Sequence, residues 1–578
     1  MSIFDIFTKK RKLDAPWAKY YTKEDLKYKI PNISMYDQVV NSAIKYPNNV
    51  AVQYMGKKIN YTNFVKKINI CAAGFQNLGI KKGDIVTILL PNIPESLISL
   101  YALNKLGAIA NMTHPLSAEE EIKETLNSTK SKYLIIYDAR YSKIEKFIKE
   151  TKVKKVIFVS PGDSLNIIKS IIFDLSQLTK FKHHPKDSLF INWKSFMFKS
   201  NFYKQNQPTE HFGKNTPAVI IHSGGTSGTP KNVVIQNRAF VFAAKGEEID
   251  LIKLNQGDSA LAIMPNFHGF GLSVLMHTPL ALGCSTILVP KFDSKKFDEL
   301  FNKTKPTCVL GVPTLFEALI NSNNVKNLDL SYLKYVISGG DLLPKKLEDE
   351  INEYLKKHNS KAKITQGYGL SEALACVTMA HDDVNKSGSV GIPLAGNYIK
   401  IIDGNRKTQP YGETGEIVIT GKALMMGYLN NEKETNEALQ IHKDGHVWLH
   451  TGDLGYMDED GFLYYKGRMK RMIITSGYNV YPSHIEEIIE SHPAVLQCSV
   501  IGVPHPYKQE VPKAFVVLKD GFHGLLIKQE LKNYCKKHLA KYMIPSEIVL
   551  RKKLPKTKLG KVDFNMLKQD NGEDEYNE

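Results

Sequence analysis

Residues 220–234 read I-I-H-S-G-G-T-S-G-T-P-K-N-V-V, an apolar strand that runs into a loop of glycines and small hydroxyl side chains closed by a lysine. Glycine lets backbone N–H groups come close to an oxyanion, Ser223, Thr226 and Ser227 add hydroxyl donors, and Lys231 adds a positive charge. With Gly224, Gly225 and Gly228 set between those groups, the loop is read as a cradle for phosphate oxygens. It is not a G-x-x-x-x-G-K-[ST] loop, because Pro230 precedes the lysine and Asn232 follows it.

Upstream of the loop, 36–46 and 96–107 carry helical patterns, and 84–90, 133–137 and 155–159 are short apolar strands. That spacing predicts parallel βαβ units and an α/β fold. Residues 160–215 are polar and rich in lysine and are read as a subdomain seam, after which 218–222 resumes as a strand. Downstream, 308–312 and 335–337 are further strands, and 388–465, with many glycines and short alternating runs, is expected to form a smaller β-rich subdomain. A boundary is placed at 467–471, giving a large domain over 1–466 and a small α+β module over 467–578. In that module a helix is expected to open at Ser483, with Glu486 at capping-box spacing, before strands at 498–501 and 514–518.

Composition sets outer limits. A chain of 578 residues is long for one domain. Its 77 Lys and Arg against 59 Asp and Glu give a net charge of +18, spread along the chain with one cluster at Lys9, Lys10, Arg11 and Lys12. This reads as a solvated surface and not a nucleic-acid patch. The six cysteines form no C-x-x-C pair, which points away from disulfides and zinc and toward a reducing cytoplasm, and residues 1–12 hold no apolar run of signal-peptide length. Residues 259–290 contain no Asp, Glu, Lys or Arg, but Pro265, Pro279, Gly269, Gly271 and Gly283 would break a spanning helix, so a buried segment lining a pocket is expected.

The loop at 223–231 resembles the [ST]-[SG]-G-[ST]-T-G-x-P-K-G signature of the adenylate-forming (AMP-binding) superfamily, with Ser227 where Thr is usual and Asn232 where Gly is usual. The double glycine is similar to the variant of the long-chain fatty-acyl-CoA synthetases. Further matches follow in the family's order: M-P-N-F-H-G-F-G at 264–271, S-G-G-D at 338–341, Q-G-Y-G-L-S-E at 366–372, W-L-H-T-G-D-L at 448–454, G-R-M-K at 467–470 and L-P-K-T-K-L-G-K at 554–561.

The resemblance implies ATP and coenzyme A as substrates and Mg²⁺ as cofactor. It places His268 at the acyl pocket, Gly339 and Gly340 in the adenine loop, and Tyr368 stacked on adenine. Ser371 would bond the α-phosphate, Glu372 and Thr226 would hold the metal, Asp453 would accept the ribose hydroxyls and Arg468 would reach the ribose. Lys470 is the implied pivot of a mobile C-terminal domain, and Lys561 the implied catalytic lysine. A carboxylate would attack the ATP α-phosphate, and the thiol of coenzyme A would then displace AMP.

The uncharged 259–290 segment argues against an amino-acid substrate, and Phe270, Leu272, Val274, Leu275 and Met276 suit an alkyl chain, as does P-W-A-K-Y-Y at 16–21, similar to the opening of long-chain synthetases. A fatty acid is therefore the expected acid. A stand-alone adenylation enzyme loading a carrier protein is the alternative, and a non-catalytic lipid binder a more distant one. Peripheral contact with the inner membrane surface and a homodimer stay open.

Overall fold

The computed structural model describes residues 11–160, 162–165, 187–204, 212–223, 231–250, 254–293, 296–322, 328–380, 383–475, 478–522, 525–557 and 561–570. In strand Ile85–Leu89 the consecutive residues Val86, Thr87, Ile88 and Leu89 are all fully buried, so both faces of the sheet are covered. This is why the strand reads as an unbroken apolar run and not as an alternation.

Around it, Pro217–Ser223, Ile109–Met112, Ile85–Leu89, Tyr133–Tyr137, Lys155–Val159 and Phe190–Asn192 pair in parallel. Lys231–Gln236 and Gly427–Tyr428 add antiparallel strands, making eight. A second, nine-stranded sheet has a parallel centre running from Ile364–Tyr368 through Tyr335–Gly339, Cys308–Gly311, Ser259–Ala262 and Ser285–Leu288 to Val50–Tyr54.

The polar stretch 160–215, read above as a seam, does not separate two sheets. Phe190–Asn192 pairs with Lys155–Val159 and Pro217–Ser223 pairs with Ile109–Met112, so one sheet runs through both sides of it. Among the described residues of the stretch, helix Trp193–Ser200 buries Trp193, Phe196 and Ser200 and turns its other side to solvent.

The expected β-rich subdomain is a five-stranded antiparallel sheet of Tyr398–Ile402, Gly415–Thr420, Leu439–Ile441, Val447–Met457 and Leu463–Arg468. A short turn, Met469–Arg471, follows, and then a five-stranded sheet with its own core around Ile485, Val500, Phe515 and Leu531. Its helix is Pro482–Glu490, with Pro482 in the first turn. Ser483 therefore stands inside the helix and makes no capping box; its hydroxyl donates to the Lys466 carbonyl at 2.5 Å, and Glu486 turns to Arg471 and the Val500 N–H.

The uncharged 259–290 segment forms strand Ser259–Ala262, a π-helical stretch Phe270–His277, helix Thr278–Ala281 and strand Ser285–Leu288. No helix among the described residues is long and apolar enough to cross a membrane.

Candidate active site

The parallel strands Pro217–Ser223, Tyr335–Gly339 and Ile364–Tyr368 end at one cavity of about 1750 Å³. The carboxyl ends of parallel strands are the usual place for a ligand in an open α/β sheet. Ser223, Lys231, His268, Gly339 and Gly340 line this cavity, as do Tyr368, Ser371 and Glu372. Asp453 and Arg468 enter from the antiparallel sheet, and Lys561 comes from beyond the 469–471 turn. Gly224, Gly225, Thr226, Ser227 and Gly228 lie outside the described residues. Segments separated by more than three hundred positions in sequence thus meet at one place.

Gly340 adopts φ +81°, a backbone that a side chain would strain, and this turns the 338–341 segment into the cavity. Just before it, the Oγ of Ser338 is buried without a hydrogen-bond partner among the described residues. Such an orphan costs about 1–3 kcal/mol unless a bound group satisfies it, so it is a natural contact for a polar ligand.

Asp453 is a buried carboxylate with two partners. It is 1% exposed, its Oδ2 accepts a 2.6 Å hydrogen bond from the Tyr368 hydroxyl, and Oδ1 lies 2.9 Å from Arg468 Nε. Burial pushes its carboxyl above the ordinary range, with the Arg468 charge pulling the other way. The loop before it is pinned by Thr451, whose hydroxyl donates to the Ile417 carbonyl at 2.6 Å and accepts the Asp453 N–H at 3.0 Å, and by Glu416, whose Oε1 accepts the Gly452 N–H at 3.1 Å. The Tyr368 ring is flanked by Tyr465, centroids 5.9 Å apart and planes at 31°.

Glu372 is placed by a residue that the sequence did not single out. Strand Gly427–Tyr428 pairs with Val233 and Val234 just after the glycine-rich loop, and the Tyr428 hydroxyl donates to Glu372 Oε1 at 3.0 Å. The same ring lies under Lys231, whose Nζ is 4.8 Å from the centroid and 3.0 Å from Glu434 Oε2. Tyr428 so couples the loop lysine to the metal-binding candidate. Nothing in the pattern around a lone tyrosine reveals this, because the pairing is made by strands about two hundred positions apart.

His222 was also missed, although it stands in the quoted stretch. Its Nε2 lies 2.9 Å from Asn111 Oδ1, while Asn111 Nδ2 donates to Thr87 Oγ1 at 2.9 Å, so the Nε2 carries the proton. Burial lowers its pKa to about 4 and leaves the ring neutral. His268 is held neutral by the same cause, also at about 4, with Lys561 adding to the shift. Burial lowers Lys561 as well, opposed by Asp341 and Asp453.

Of the apolar residues assigned to an alkyl tail, Phe270 and Val274 line the cavity, whereas Leu272, Leu275 and Met276 are fully buried in the main core. A helix turns only one side to a pocket, and the sequence alone did not say which. The 16–21 aromatic segment does not line the cavity either: Trp17 is buried against Tyr398 of the antiparallel sheet, rings 6.1 Å apart.

Among the described residues no three His, Cys, Asp or Glu side chains are grouped to hold a metal by themselves. One carboxylate, Glu372, with its Oε2 not engaged by Tyr428, fits a magnesium ion that takes most of its ligands from phosphates and water.

Fold and cavity together define an enzyme with a large α/β body and a small C-terminal module that closes one side of a shared ligand site. The chain belongs to the AMP-binding enzyme family, whose model matches residues 39–429, and the model of the AMP-binding enzyme C-terminal domain matches 484–561. A long-chain-fatty-acid–CoA ligase of Bacillus subtilis is 33% identical over 557 residues, 95% of this chain and 96% of that one. A protein of the same description from Yersinia pestis is 30% identical over 92% of this chain and 93% of its own length. Among solved structures, an anthranilate CoA ligase in complex with anthranoyl-AMP shares the fold with a TM-score of 0.82, at 22% identity over 94% of this chain and 98% of its own.

Proposed function

We propose that the chain is an AMP-forming acyl-CoA synthetase that joins a long-chain fatty acid to coenzyme A through an acyl-adenylate. The observation that carries the reading is that Lys561, from the C-terminal module, lines the same cavity as Asp453, Glu372 and His268 of the body.

A carboxylate is a poor acyl electrophile, and its activation needs a better leaving group. In this reading a carboxylate oxygen attacks the α-phosphorus of ATP, the bond to pyrophosphate breaks, and charge builds up on the oxygens between them. Lys231 leaves Glu434 to meet the departing phosphates, and Lys561 meets the oxygens at the reacting centre. Asp453 receives the ribose hydroxyls with Arg468 beside it, Tyr368 and Ser338 hold the base, and Ser371 bonds the α-phosphate. Neutral His268 donates a hydrogen bond to the acid without trapping it as an ion pair. Mg²⁺ on Glu372 and Thr226 would supply neutralising charge for the phosphates.

The thiolate of coenzyme A then attacks the acyl carbon and AMP leaves with the electron pair of the broken anhydride bond. For this step we assign the C-terminal module beyond Lys470 to pivot at that residue and withdraw Lys561, while Gly467 and Arg468 stay in the body's antiparallel sheet. Phe270 and Val274 give the tail an apolar wall. A cytoplasmic setting is supported by six cysteines that are all buried and form no C-x-x-C pair.

The test is pyrophosphate release across a panel of acids, with AMP and acyl-CoA as products. ADP formation, or no ATP use with any acid, would overturn the reading. Loading of a carrier protein without coenzyme A would move it to the alternative acceptor.

A further inference from the structure

Asp453 and its two preceding neighbours bulge out of the ladder that carries them. Where strand Gly415–Thr420 pairs with Val447–Met457, Glu416 lies opposite Leu454 and Val418 opposite His450, so Ile417 alone faces Thr451, Gly452 and Asp453. A bulge of this kind takes the extra residues out of regular pairing and re-aims a side chain. Thr451 ties the two sides of the bulge, to the Ile417 carbonyl and to the Asp453 N–H. The central residue, Gly452, adopts φ +67°, and a Cβ built on it would meet nothing within 4 Å, so packing does not fix this peptide.

A chain of side chains fixes it instead. Glu416 Oε1 accepts the Gly452 N–H at 3.1 Å, its Oε2 lies 2.9 Å from His450 Nδ1, and His450 Nε2 lies 3.0 Å from His442 Nε2. The His442 ring rests beside buried Trp448, centroids 5.8 Å apart, and the Trp448 indole N–H donates to Asp444 at 3.1 Å. The bond between the two Nε2 atoms needs one proton and is complete whichever ring carries it. Glu416 and His450 both line the cavity, yet both carboxylate oxygens and both ring nitrogens are engaged within the protein. These groups are therefore placed to hold the loop and not to contact a ligand.

Resting on the reading of Asp453 as the acceptor of the ribose hydroxyls, we propose that Glu416 is a positioning residue for the nucleotide: backed by His450 and His442, it holds the Gly452 peptide and through it the direction of the Asp453 carboxylate. A carboxylate that must meet two hydroxyls at once tolerates little misdirection. A hydrogen bond from a backbone N–H to a carboxylate is among the stronger kinds, which suits a peptide that has no side chain to anchor it.

The test compares equilibrium binding of AMP and of 2′,3′-dideoxy-AMP, which lacks both ribose hydroxyls, to the full chain and to E416A, E416D and E416Q. The unmodified chain is expected to prefer AMP. E416A is expected to weaken AMP binding at least ~tenfold and to leave dideoxy-AMP within ~twofold, because the lost orientation matters only when hydroxyls are there to meet Asp453. E416D keeps the charge without the reach and should show the same selective loss, which preserves the test if E416A does not fold. E416Q is expected to bind AMP nearly as the unmodified chain does, since its amide oxygen accepts the Gly452 N–H and its NH₂ donates to His450 Nδ1 once the ring proton moves to Nε2. In turnover, KM for ATP should rise in E416A while KM for the acid stays. Equal weakening of both nucleotides, unchanged AMP binding in E416A and E416D, or a loss in E416Q as large as in E416A would each overturn the proposal. An unmodified chain that binds both nucleotides alike would remove the ribose reading and the proposal together. The expected binding pattern in a chain that activates no acid would break the proposed function and leave the role of Glu416 standing.

Discussion

Arg468 and Arg471 stand at the two ends of one short turn and are anchored to different modules. Arg468 Nε pairs with Asp453 of the antiparallel sheet at 2.9 Å, whereas Arg471 pairs with Glu486 of the C-terminal helix at 2.7 Å and stacks on Phe564 at 3.6 Å. Met469 and Lys470 lie between the two anchors, so torsion changes there reorient one module on the other while each arginine keeps its partner.

Lys470→Pro fixes one backbone torsion at a value compatible with the present turn. Adenylate formation, followed as pyrophosphate release, is expected to keep most of its rate, and thioester formation from supplied acyl-adenylate to fall at least ~tenfold. Equal loss in both half-reactions would contradict a pivot at this position.

Lys561→Ala should remove at least ~3 kcal/mol of stabilisation from adenylate formation, with thioester formation from supplied adenylate largely intact. Burial lowers the pKa of this lysine, so its charged form is lost as pH rises, before an ordinary lysine would lose its own. The alkaline limb of the adenylation rate is therefore expected below the usual lysine range, and Lys561→Arg is expected to push that limb upward. A pH–rate profile of both half-reactions checks this.

Lys231 is paired with Glu434 before any phosphate arrives, and both side chains are about 30% exposed, so the pair contributes only about 0–1 kcal/mol to stability. Glu434→Gln is expected to leave the melting temperature nearly unchanged and to lower KM for ATP severalfold, because phosphate no longer competes with a carboxylate for the lysine. A raised KM would show that Glu434 helps ATP bind.

Two neighbours in the π-helical stretch should behave oppositely. Val274 lines the cavity, and Val274→Trp is expected to cut kcat/KM with a long-chain acid at least ~tenfold while sparing a short one. Leu275 is fully buried in the core, and Leu275→Ala should cost about 2–5 kcal/mol of stability with little change in chain-length preference. Melting curves and an acid panel separate the two.

Three histidines, His277 fully buried and His222 and His268 half-buried at the cavity, make the fold sensitive to acid. Burial holds His222 and His268 at about 4 and His277 at about 3, against an ordinary value of 6.5. These pKa values are depressed in the folded state, so the unfolded chain binds more protons as pH falls below 6.5. Stability is thus complete above that pH and lost progressively toward pH 4, at up to about 1.4 kcal/mol per pH unit for each ring. Denaturant titrations between pH 7 and 4.5 measure this, and a constant stability across that range would contradict it.

Much of the site was legible because its residue types are unusual in their local order. Glycines, hydroxyls and a lysine after a strand at 220–231 have a chemical reason that survives without coordinates, whereas the carboxylate after G-Y-G-L-S was singled out by the family resemblance and the order of its motifs. Tyr428, Glu434, Glu416 and His222 were not legible, since each acts through a partner brought near by strand pairing or packing, and this holds even for His222 inside the distinctive 220–234 stretch. The same reason hid where Trp17 of the 16–21 segment packs, since its apolar character says that it is buried but not that it lies against Tyr398.

By itself the sequence determined the α/β class and the buried parallel strands, and it singled out Lys231, Glu372, Asp453 and Lys561, which line one cavity, because strand burial and local chemistry are written in short stretches. Only the tertiary structure decided that Tyr368 bonds Asp453, that Tyr428 couples Lys231 to Glu372, and that Val274 faces the cavity while Leu275 faces the core. Those choices depend on sheet order, helix rotation and contacts across hundreds of residues, which local pattern does not encode.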